Sequence, residues 1–108
     1  MYFHNPDDRK KKLLVPGIQI RTFWGENLLL SVVDFEANAV VPAHSHPQEQ
    51  IIFLLEGIIE IDIAGETHSL RAGEFVIAPG GVEHSARVGS QPARGLDVFS
   101  PVREDLKY

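Results

Sequence analysis

Two histidines and a glutamine occur at spacings that suit metal binding. His44 and His46 are two residues apart, and Gln50 follows four residues after His46. Side chains alternate between the two faces of a strand, so residues two or four apart share a face if this segment is extended. The segment therefore predicts two imidazoles and an amide oxygen on one face, which are groups that bind a divalent transition metal. Glu49 is out of phase with them and is a rival ligand only if the strand is irregular.

A third histidine, His84, occurs later in the chain, directly after a turn and two further residues. Gly57 ends the apolar run after Gln50, and the turn Pro79-Gly80-Gly81 precedes His84. Three ring nitrogens inside an apolar core are hard to satisfy without a cation, so we favour a metal site over a set of polar core residues. The predicted cofactor is one divalent transition metal ion per chain, and imidazole and amide ligands accept Zn, Ni, Fe, Mn or Cu. The predicted metal ligands are His44, His46, Gln50 and His84.

The last strand of the chain carries further reactive side chains. Asp97 and Phe99 share one face of this strand, and Leu96 and Val98 share the other. If the first pair faces the interior, Asp97 is a buried carboxylate beside the metal, a candidate general acid or base, and Phe99 is a wall of the pocket. If the second pair does, Asp97 is an exposed carboxylate. Arg103 either reaches back to bind a carboxylate in a bidentate manner or is a surface charge.

Short strands must position these side chains. Segments of alternating or continuous apolar character recur between Gly and Pro turns, and no long segment of helical period occurs. This pattern predicts an all-β sandwich or barrel. We expect residues 1–16, broken by Pro6 and Pro16, to form an irregular lead-in, and residues 17–108 to form one β-barrel domain. The predicted strands cover residues 17–24, 28–36, 50–56, 58–63, 67–70, 75–78, 82–88 and 94–99.

One predicted strand is apolar on both faces. Ile52 and Leu54 lie on one face of residues 50–56, and Ile51, Phe53 and Leu55 lie on the other. A strand with one face in water would carry polar residues on that face. The outer face must therefore be covered by another sheet of this chain or by a second subunit, and we predict a homodimer.

Composition excludes several classes of protein. The chain has 108 residues, a net charge of −5 and no cysteine, which predicts one domain without disulfides or thiolate chemistry. A nucleic-acid-binding protein would need a basic face, and the one basic run, residues 9–12, is interpreted as a solvated segment. The first eight residues carry charges where a signal peptide has an apolar core, and no stretch reaches membrane-spanning length. We therefore expect a cytoplasmic protein with no nucleic-acid or membrane partner.

The two histidine segments resemble the two motifs of the cupin superfamily in spacing and order. The resemblance implies a jelly-roll β-barrel with a metal inside, and by position it implies His44, His46 and His84 as ligands. Gln50 stands where these motifs usually have Glu, and Val88 stands where the second motif often ends in Asn. The first departure affects chemistry, because a neutral amide leaves the full charge on a divalent ion and makes it a stronger Lewis acid for an anionic ligand.

The whole chain resembles the small single-domain cupins of pectin and alginate breakdown, the KdgF type. The shared features are the short length, the glutamine in the ligand set and the ending Asp97-Val98-Phe99-Ser100-Pro101-Val102-Arg103-Glu104-Asp105. The resemblance implies an enzyme that converts 4,5-unsaturated monouronates to their linear keto forms. By position it implies that Asp97, Phe99 and Arg103 line the active site and act on a small sugar acid.

Two other functions remain open from the sequence. Three histidines are also the ligand set of non-haem iron dioxygenases, which would consume oxygen. A metal-stabilised, sugar-binding cupin without enzymatic activity is the other alternative. Replacement of Asp97 separates a binding protein from an enzyme, because only the enzyme needs the carboxylate for proton transfer.

Overall fold

The computed structural model describes residues 2–108, which form ten strands and two short 3-10 helices at Pro6–Asp8 and Glu104–Leu106. This confirms the all-β fold predicted from the sequence. No helix within residues 2–108 is long and apolar enough to cross a membrane. The strands are β1 Lys12–Val15, β2 Ile18–Trp24, β3 Leu29–Phe35, β4 Val40–His44, β5 Glu49–Glu56, β6 Ile58–Ile63, β7 Glu66–Arg71, β8 Phe75–Ala78, β9 His84–Val88 and β10 Ala93–Ser100.

Two antiparallel sheets form a jelly-roll sandwich. The six-stranded sheet has the order β1-β2-β3-β10-β5-β8, and the four-stranded sheet has the order β4-β9-β6-β7. The chain crosses repeatedly from one sheet to the other, so residues that are close in sequence often lie in different sheets. The inner faces of the two sheets pack on each other and enclose the core.

Alternation along the strands decides which side chains form this core. Ile18 and Ile20 of β2, Leu54 of β5 and Ile59 and Ile61 of β6 are buried, and the residues between them point outward. The even positions of β5 and the odd positions of β6 face inward. The alternation of apolar and acidic residues predicted this for β6, whereas β5, apolar on both faces, gave no such prediction. Burial of these aliphatic side chains supplies most of the favourable free energy of folding.

The segment before residue 17 is more ordered than we expected. Lys12–Val15 forms β1 and pairs with β2, for example through the register partners Leu13 and Gln19. The expectation of an irregular lead-in was wrong for these four residues, because backbone pairing to the edge of a sheet needs little sequence signal. Leu14 also reaches the internal cavity. The division into a lead-in of residues 1–16 and a barrel of residues 17–108 remains a prediction.

The histidine segment is not one continuous strand. β4 ends at His44 in the four-stranded sheet, and β5 begins at Glu49 in the six-stranded sheet. The shared strand face predicted for His44, His46 and Gln50 was therefore wrong. These side chains converge because the chain crosses between sheets and both sheets direct their inner residues to the same interior.

The outer face of the six-stranded sheet is apolar where β5 and β8 lie side by side. Phe75 and Ile77 of β8 are 57% and 51% exposed, and Ile51 and Leu55 of β5 are also exposed. The ring of Phe53 stacks on that of Phe75 at a centroid distance of 6.2 Å. We call this surface, formed by Ile51, Phe53, Leu55, Phe75 and Ile77, the outer apolar face. The four-stranded sheet covers only the inner side of β5.

Candidate metal centre and active site

Two of the three histidines meet on neighbouring strands. His44 ends β4 and His84 begins β9, and they are direct partners in the antiparallel register. Their ring centroids are 4.4 Å apart. His84 is buried and His44 is partly buried, so the pair faces the interior at one end of the sandwich.

A glycine turn holds the third histidine beside them. His46 lies between β4 and β5, and its carbonyl oxygen accepts a hydrogen bond of 2.8 Å from the N–H of Gly81. A Cβ atom at Gly80 would lie 2.3 Å from the carbonyl oxygen of Pro47, so only glycine permits this backbone contact. The two sequence motifs therefore meet through their backbones, and the ring centroids of His46 and His84 are 4.9 Å apart.

Backbone carbonyls orient all three imidazoles in the same way. A carbonyl oxygen only accepts a hydrogen bond, so each Nδ1 atom carries the proton and each Nε2 atom presents a lone pair. Histidines that bind metals are commonly oriented by such a bond from the other ring nitrogen. The accepting carbonyls belong to Pro42 for His44 (2.9 Å), Gln48 for His46 (3.0 Å) and Val82 for His84 (2.9 Å).

Two Nε2 atoms lack a matching donor. The Nε2 atom of His84 is buried without a hydrogen-bond partner among residues 2–108. The Nε2 atom of His46 lies 3.0 Å from Oε1 of Gln50, although both atoms are acceptors in this arrangement. Gln50 also hydrogen-bonds the carboxyl group of Asp97 and lowers the pKa of that group, so this contact uses an amide N–H of Gln50. A cation can bind the lone pairs of such acceptor atoms where they lie together in a buried site.

This donor set fits a divalent metal ion. One ligand atom from each of His44, His46 and His84 lies within 4.8 Å of the others, so the three residues could share an ion. Burial lowers the pKa of both His46 and His84, which favours the neutral imidazole that a metal requires. Glu49 is exposed and points away from the cluster. Gln50 as a fourth ligand remains a prediction.

The last strand turns its reactive face inward. Phe99 is buried, and Asp97 lines the interior cavity, whereas Leu96 and Val98 lie on the outer side of β10. Of the two orientations that the sequence allowed, the structure has the one that places Asp97 inside. Phe99 is the register partner of Gln50, and its ring lies 5.5 Å from that of His46.

The carboxyl group of Asp97 has an altered proton affinity. Burial raises the pKa of Asp97 to about 7, although the hydrogen bond from Gln50 and the positive charge of Arg103 both act to lower that pKa. Desolvation therefore outweighs the two favourable partners. A carboxyl with this pKa can both donate and accept a proton near neutral pH.

Arg103 follows β10 and lies at the edge of the same cavity. Its Nε and Nη2 atoms donate hydrogen bonds of 3.3 and 2.7 Å to the two carboxylate oxygens of Asp105. Its guanidinium carbon is 5.0 Å from the centroid of the Phe99 ring. Two donors of the guanidinium are thus used by Asp105, and its remaining N–H groups are free to bind a second carboxylate.

One cavity between the two sheets is lined by most of these residues, namely His44, Gln50, His84, Asp97, Phe99 and Arg103. Its empty volume is about 640 Å³, including the part that opens to solvent. Histidine, glutamine, carboxylate and arginine side chains line one end, and aliphatic side chains line the remainder. The sequence reasoning missed Ser31, which also lines the cavity. The available signal was a single hydroxyl on the inner face of β3, where the other inward residues, Leu29, Val33 and Phe35, are apolar.

Comparisons with known proteins agree with this architecture. A family model described as "Cupin domain" matches residues 31–99. The pectin degradation protein KdgF of Dickeya dadantii is 29% identical over 84 residues, which cover 77% of this chain and 76% of that protein. The solved structure of KdgF from Halomonas sp. matches with a TM-score of 0.93 at 28% identity, and the match covers 99% of each chain.

A second type of relative is similar over a shorter region. The polyketide synthase CurC of Streptomyces cyaneus is 36% identical over 64 residues. These residues make up 57% of this chain and 42% of that protein, so the chain spans less than half the length of this relative.

Proposed function

The chain belongs to the cupin family, as its two histidine motifs predicted, and from this premise we propose that it is a metal-dependent enzyme of uronate catabolism. The proposed reaction opens 4,5-unsaturated monouronates to their linear keto forms. The observation that carries the proposal is that Asp97 and Phe99 line the same cavity as His44 and His84, two members of the three-histidine cluster. The KdgF relatives, one of them described as a pectin degradation protein, support the choice of a sugar acid as substrate.

In the proposed site, His44, His46 and His84 hold a divalent ion, with Gln50 as the fourth ligand. Such an ion supplies Lewis-acid polarisation of the oxygen atoms of a bound sugar acid. The neutral amide of Gln50 leaves the positive charge of the site uncompensated, which favours an anionic substrate. Imidazole, amide, carboxyl and guanidinium groups line the same cavity, a set that suits recognition of a small polyhydroxy acid.

Asp97 is the proposed proton carrier. In the reaction, the bond between the anomeric carbon and the ring oxygen breaks, and the anomeric hydroxyl loses its proton as an aldehyde forms. The released ring oxygen takes up a proton and becomes the hydroxyl of an enol at carbon 5. This enol becomes a ketone when its hydroxyl proton is lost and a proton is added to carbon 4. No oxidant is consumed, and the number of protons is unchanged overall. A carboxyl whose pKa is about 7 can move these protons in both directions.

Arg103 and Phe99 position the substrate in this proposal. The N–H groups of Arg103 that Asp105 does not use bind the uronate carboxylate. Phe99 is buried beneath the guanidinium and beside His46, so it forms the wall between the two cationic parts of the site. The sugar ring would lie against this wall.

The test follows loss of the conjugated double bond by ultraviolet absorbance. Metal-loaded protein receives an unsaturated monouronate prepared with a pectin or alginate lyase. We expect turnover that disappears with a chelator and falls about 10²–10⁴-fold in Asp97→Asn. Asp34→Asn is the matched control, since Asp34 lies on the neighbouring strand but faces outward, where it pairs with Lys11 and Arg94.

No turnover above the spontaneous rate by protein with confirmed bound metal would contradict the proposal. Oxygen uptake by iron-loaded protein would then favour the dioxygenase alternative. Binding of a sugar acid without any turnover would favour the non-enzymatic alternative.

The outer apolar face supports a homodimer as part of the same proposal. Phe75 and Ile77 are more than half exposed on the edge strand β8, and exposed apolar surface of this kind is typical of interfaces. A second copy packed on this face would cover the residues of β5 that the sequence suggested must be covered. Sedimentation of the wild-type protein and of Phe75→Lys tests this, and an unchanged monomer in both would contradict it. A cytoplasmic location remains a prediction.

A further inference from the structure

Ser31 is a polar residue inside the cavity that the proposed reaction leaves without a role. It lies on the inner face of β3 between Leu29 and Val33, and it is 1% exposed. Its Oγ atom has no hydrogen-bond partner among residues 2–108. A buried hydroxyl without a partner is unfavourable for folding compared with a methyl group of similar size. The fold itself therefore gives no reason for a hydroxyl at this position.

Ser31 is placed beside the proposed proton carrier. In the six-stranded sheet it is the direct register partner of Asp97 on β10. The Cβ atoms of such cross-strand partners are about 4.5–5.5 Å apart and point to the same side of the sheet. Ser31 also lines the same cavity as His84 and Arg103. A ligand that reaches Asp97 is thus within reach of the Ser31 hydroxyl.

The neighbouring hydroxyl in the same row is different. Thr22 on β2 is the register partner of Ser31 on its other side, and it is also 1% exposed. Its Oγ1 atom donates a hydrogen bond of 2.7 Å to the carbonyl oxygen of Leu106. Two equally buried hydroxyls therefore lie side by side. Only the hydroxyl of Thr22, which does not line the internal cavity, has a hydrogen-bond partner in the protein.

We propose that the Ser31 hydroxyl is a substrate-binding group that hydrogen-bonds an oxygen atom of the sugar acid held between Asp97 and Arg103. The identity of the ligand rests on the proposed function, whereas the placement of the hydroxyl does not. Ser31 contributes to binding and orientation of the ring. Its partner in the complex is a ring hydroxyl or a carboxylate oxygen, both of which can accept the Oγ proton.

The test compares Ser31→Ala with the wild-type protein in two measurements. Loss of one hydrogen bond to the substrate is expected to raise KM for the unsaturated monouronate about three- to tenfold, with a much smaller effect on kcat. The dissociation constant for saturated galacturonate, measured by calorimetry on the metal-loaded protein, should rise by a similar factor. The melting temperature should stay the same or rise, because the variant removes a hydroxyl that the fold does not satisfy.

Thr22→Val is the matched control for the stability measurement. It removes an equally buried hydroxyl from the same row and leaves the carbonyl of Leu106 without its donor, so its melting temperature should fall. A Ser31→Ala variant that melts as low as Thr22→Val would assign Ser31 a structural role and overturn the proposal. Unchanged KM and unchanged galacturonate affinity would overturn it as well.

Failure of the proposed reaction can be told apart from failure of this inference. If the wild-type protein binds galacturonate without turning over the unsaturated sugar, only the proposed reaction is wrong, and the affinity of Ser31→Ala still decides the role of Ser31. If the wild-type protein neither binds nor converts a sugar acid, both proposals are overturned.

Discussion

Replacement of the buried carboxyl group by an amide should make the metal-free protein more stable at alkaline pH. Burial raises the pKa of Asp97 from an ordinary value of 3.8 to about 7 in the folded chain. The folded state therefore prefers the protonated form. This preference stabilises the folded state fully at pH values below the pKa that Asp97 has in the unfolded chain. The stabilisation is lost as the pH rises through the pKa that Asp97 has in the folded chain. Asn cannot ionise, so Asp97→Asn escapes this loss.

The size of the effect follows from the shift in pKa. A shift of about three units at about 1.4 kcal/mol per unit corresponds to about 4 kcal/mol between pH 4 and pH 8. This is an upper value, because the cavity opens to solvent and solvent screens the charge. The stability of Asp97→Asn minus that of the wild-type protein should therefore increase by up to about 4 kcal/mol over this pH range.

Urea denaturation of the two chelator-treated proteins at pH 4 and pH 8 measures this difference. Titration of all other groups contributes equally to both proteins and cancels in the comparison. Asp34→Asn serves as the control, because its carboxylate faces outward and its ion pairs with Lys11 and Arg94 are worth about 0–1 kcal/mol. A stability difference between Asp97→Asn and wild-type protein that is the same at both pH values would refute the reasoning that burial controls this carboxyl.

Three further predictions concern the core, the metal centre and a surface turn. Leu54 is completely buried, so Leu54→Ala should lower the free energy of unfolding by about 3–5 kcal/mol in urea denaturation, and a loss below about 1 kcal/mol would show that the site collapses. His84→Ala should weaken metal binding by about tenfold or more in elemental analysis after dialysis, whereas full retention of metal would argue against His84 as a ligand. Hydrogen bonds from the Thr67 hydroxyl and the Gly65 N–H lower the pKa of Asp62, so its contribution is present above the ordinary carboxyl pKa and is lost as the pH falls through the folded-state pKa. Calorimetry of Asp62→Ala should show a lower melting temperature at pH 7 that returns to the wild-type value near pH 2, and an equal deficit at both pH values would contradict this.

Local patterns were sufficient to predict eight of the ten strands. Alternation in Ile59, Glu60 and Ile61 indicated which side of β6 faces the core, and the structure confirms it. This works because strand periodicity and burial are properties of a few consecutive residues. The exceptions were β1 and β4, neither of which is among the predicted strands. The pairing of β1 depends on a partner edge and leaves little signal in Lys12–Val15 itself.

The positions of the three histidines could not be predicted from alternation along a single strand. The sequence identified His44, His46 and His84 correctly as residues that come together, but it placed the first two on one strand with Gln50. The structure brings them together across two sheets, with the glycine turn at Gly80 in contact with the backbone beside His46. Alternation along a strand could not reveal a crossing between sheets.

The sequence by itself determined the all-β class, the inward face of β6 and the identity of the three histidines, because strand periodicity and motif spacing are properties of residues that are close in the chain. Only the tertiary structure decided that Asp97 rather than Leu96 faces the interior, since β10 lies between β3 and β5 and could have presented either face to the core. It also decided that Ser31 lies beside Asp97 with an unpartnered hydroxyl. Register between strands that are distant in the chain sets these contacts, and register depends on the packing of the whole sandwich.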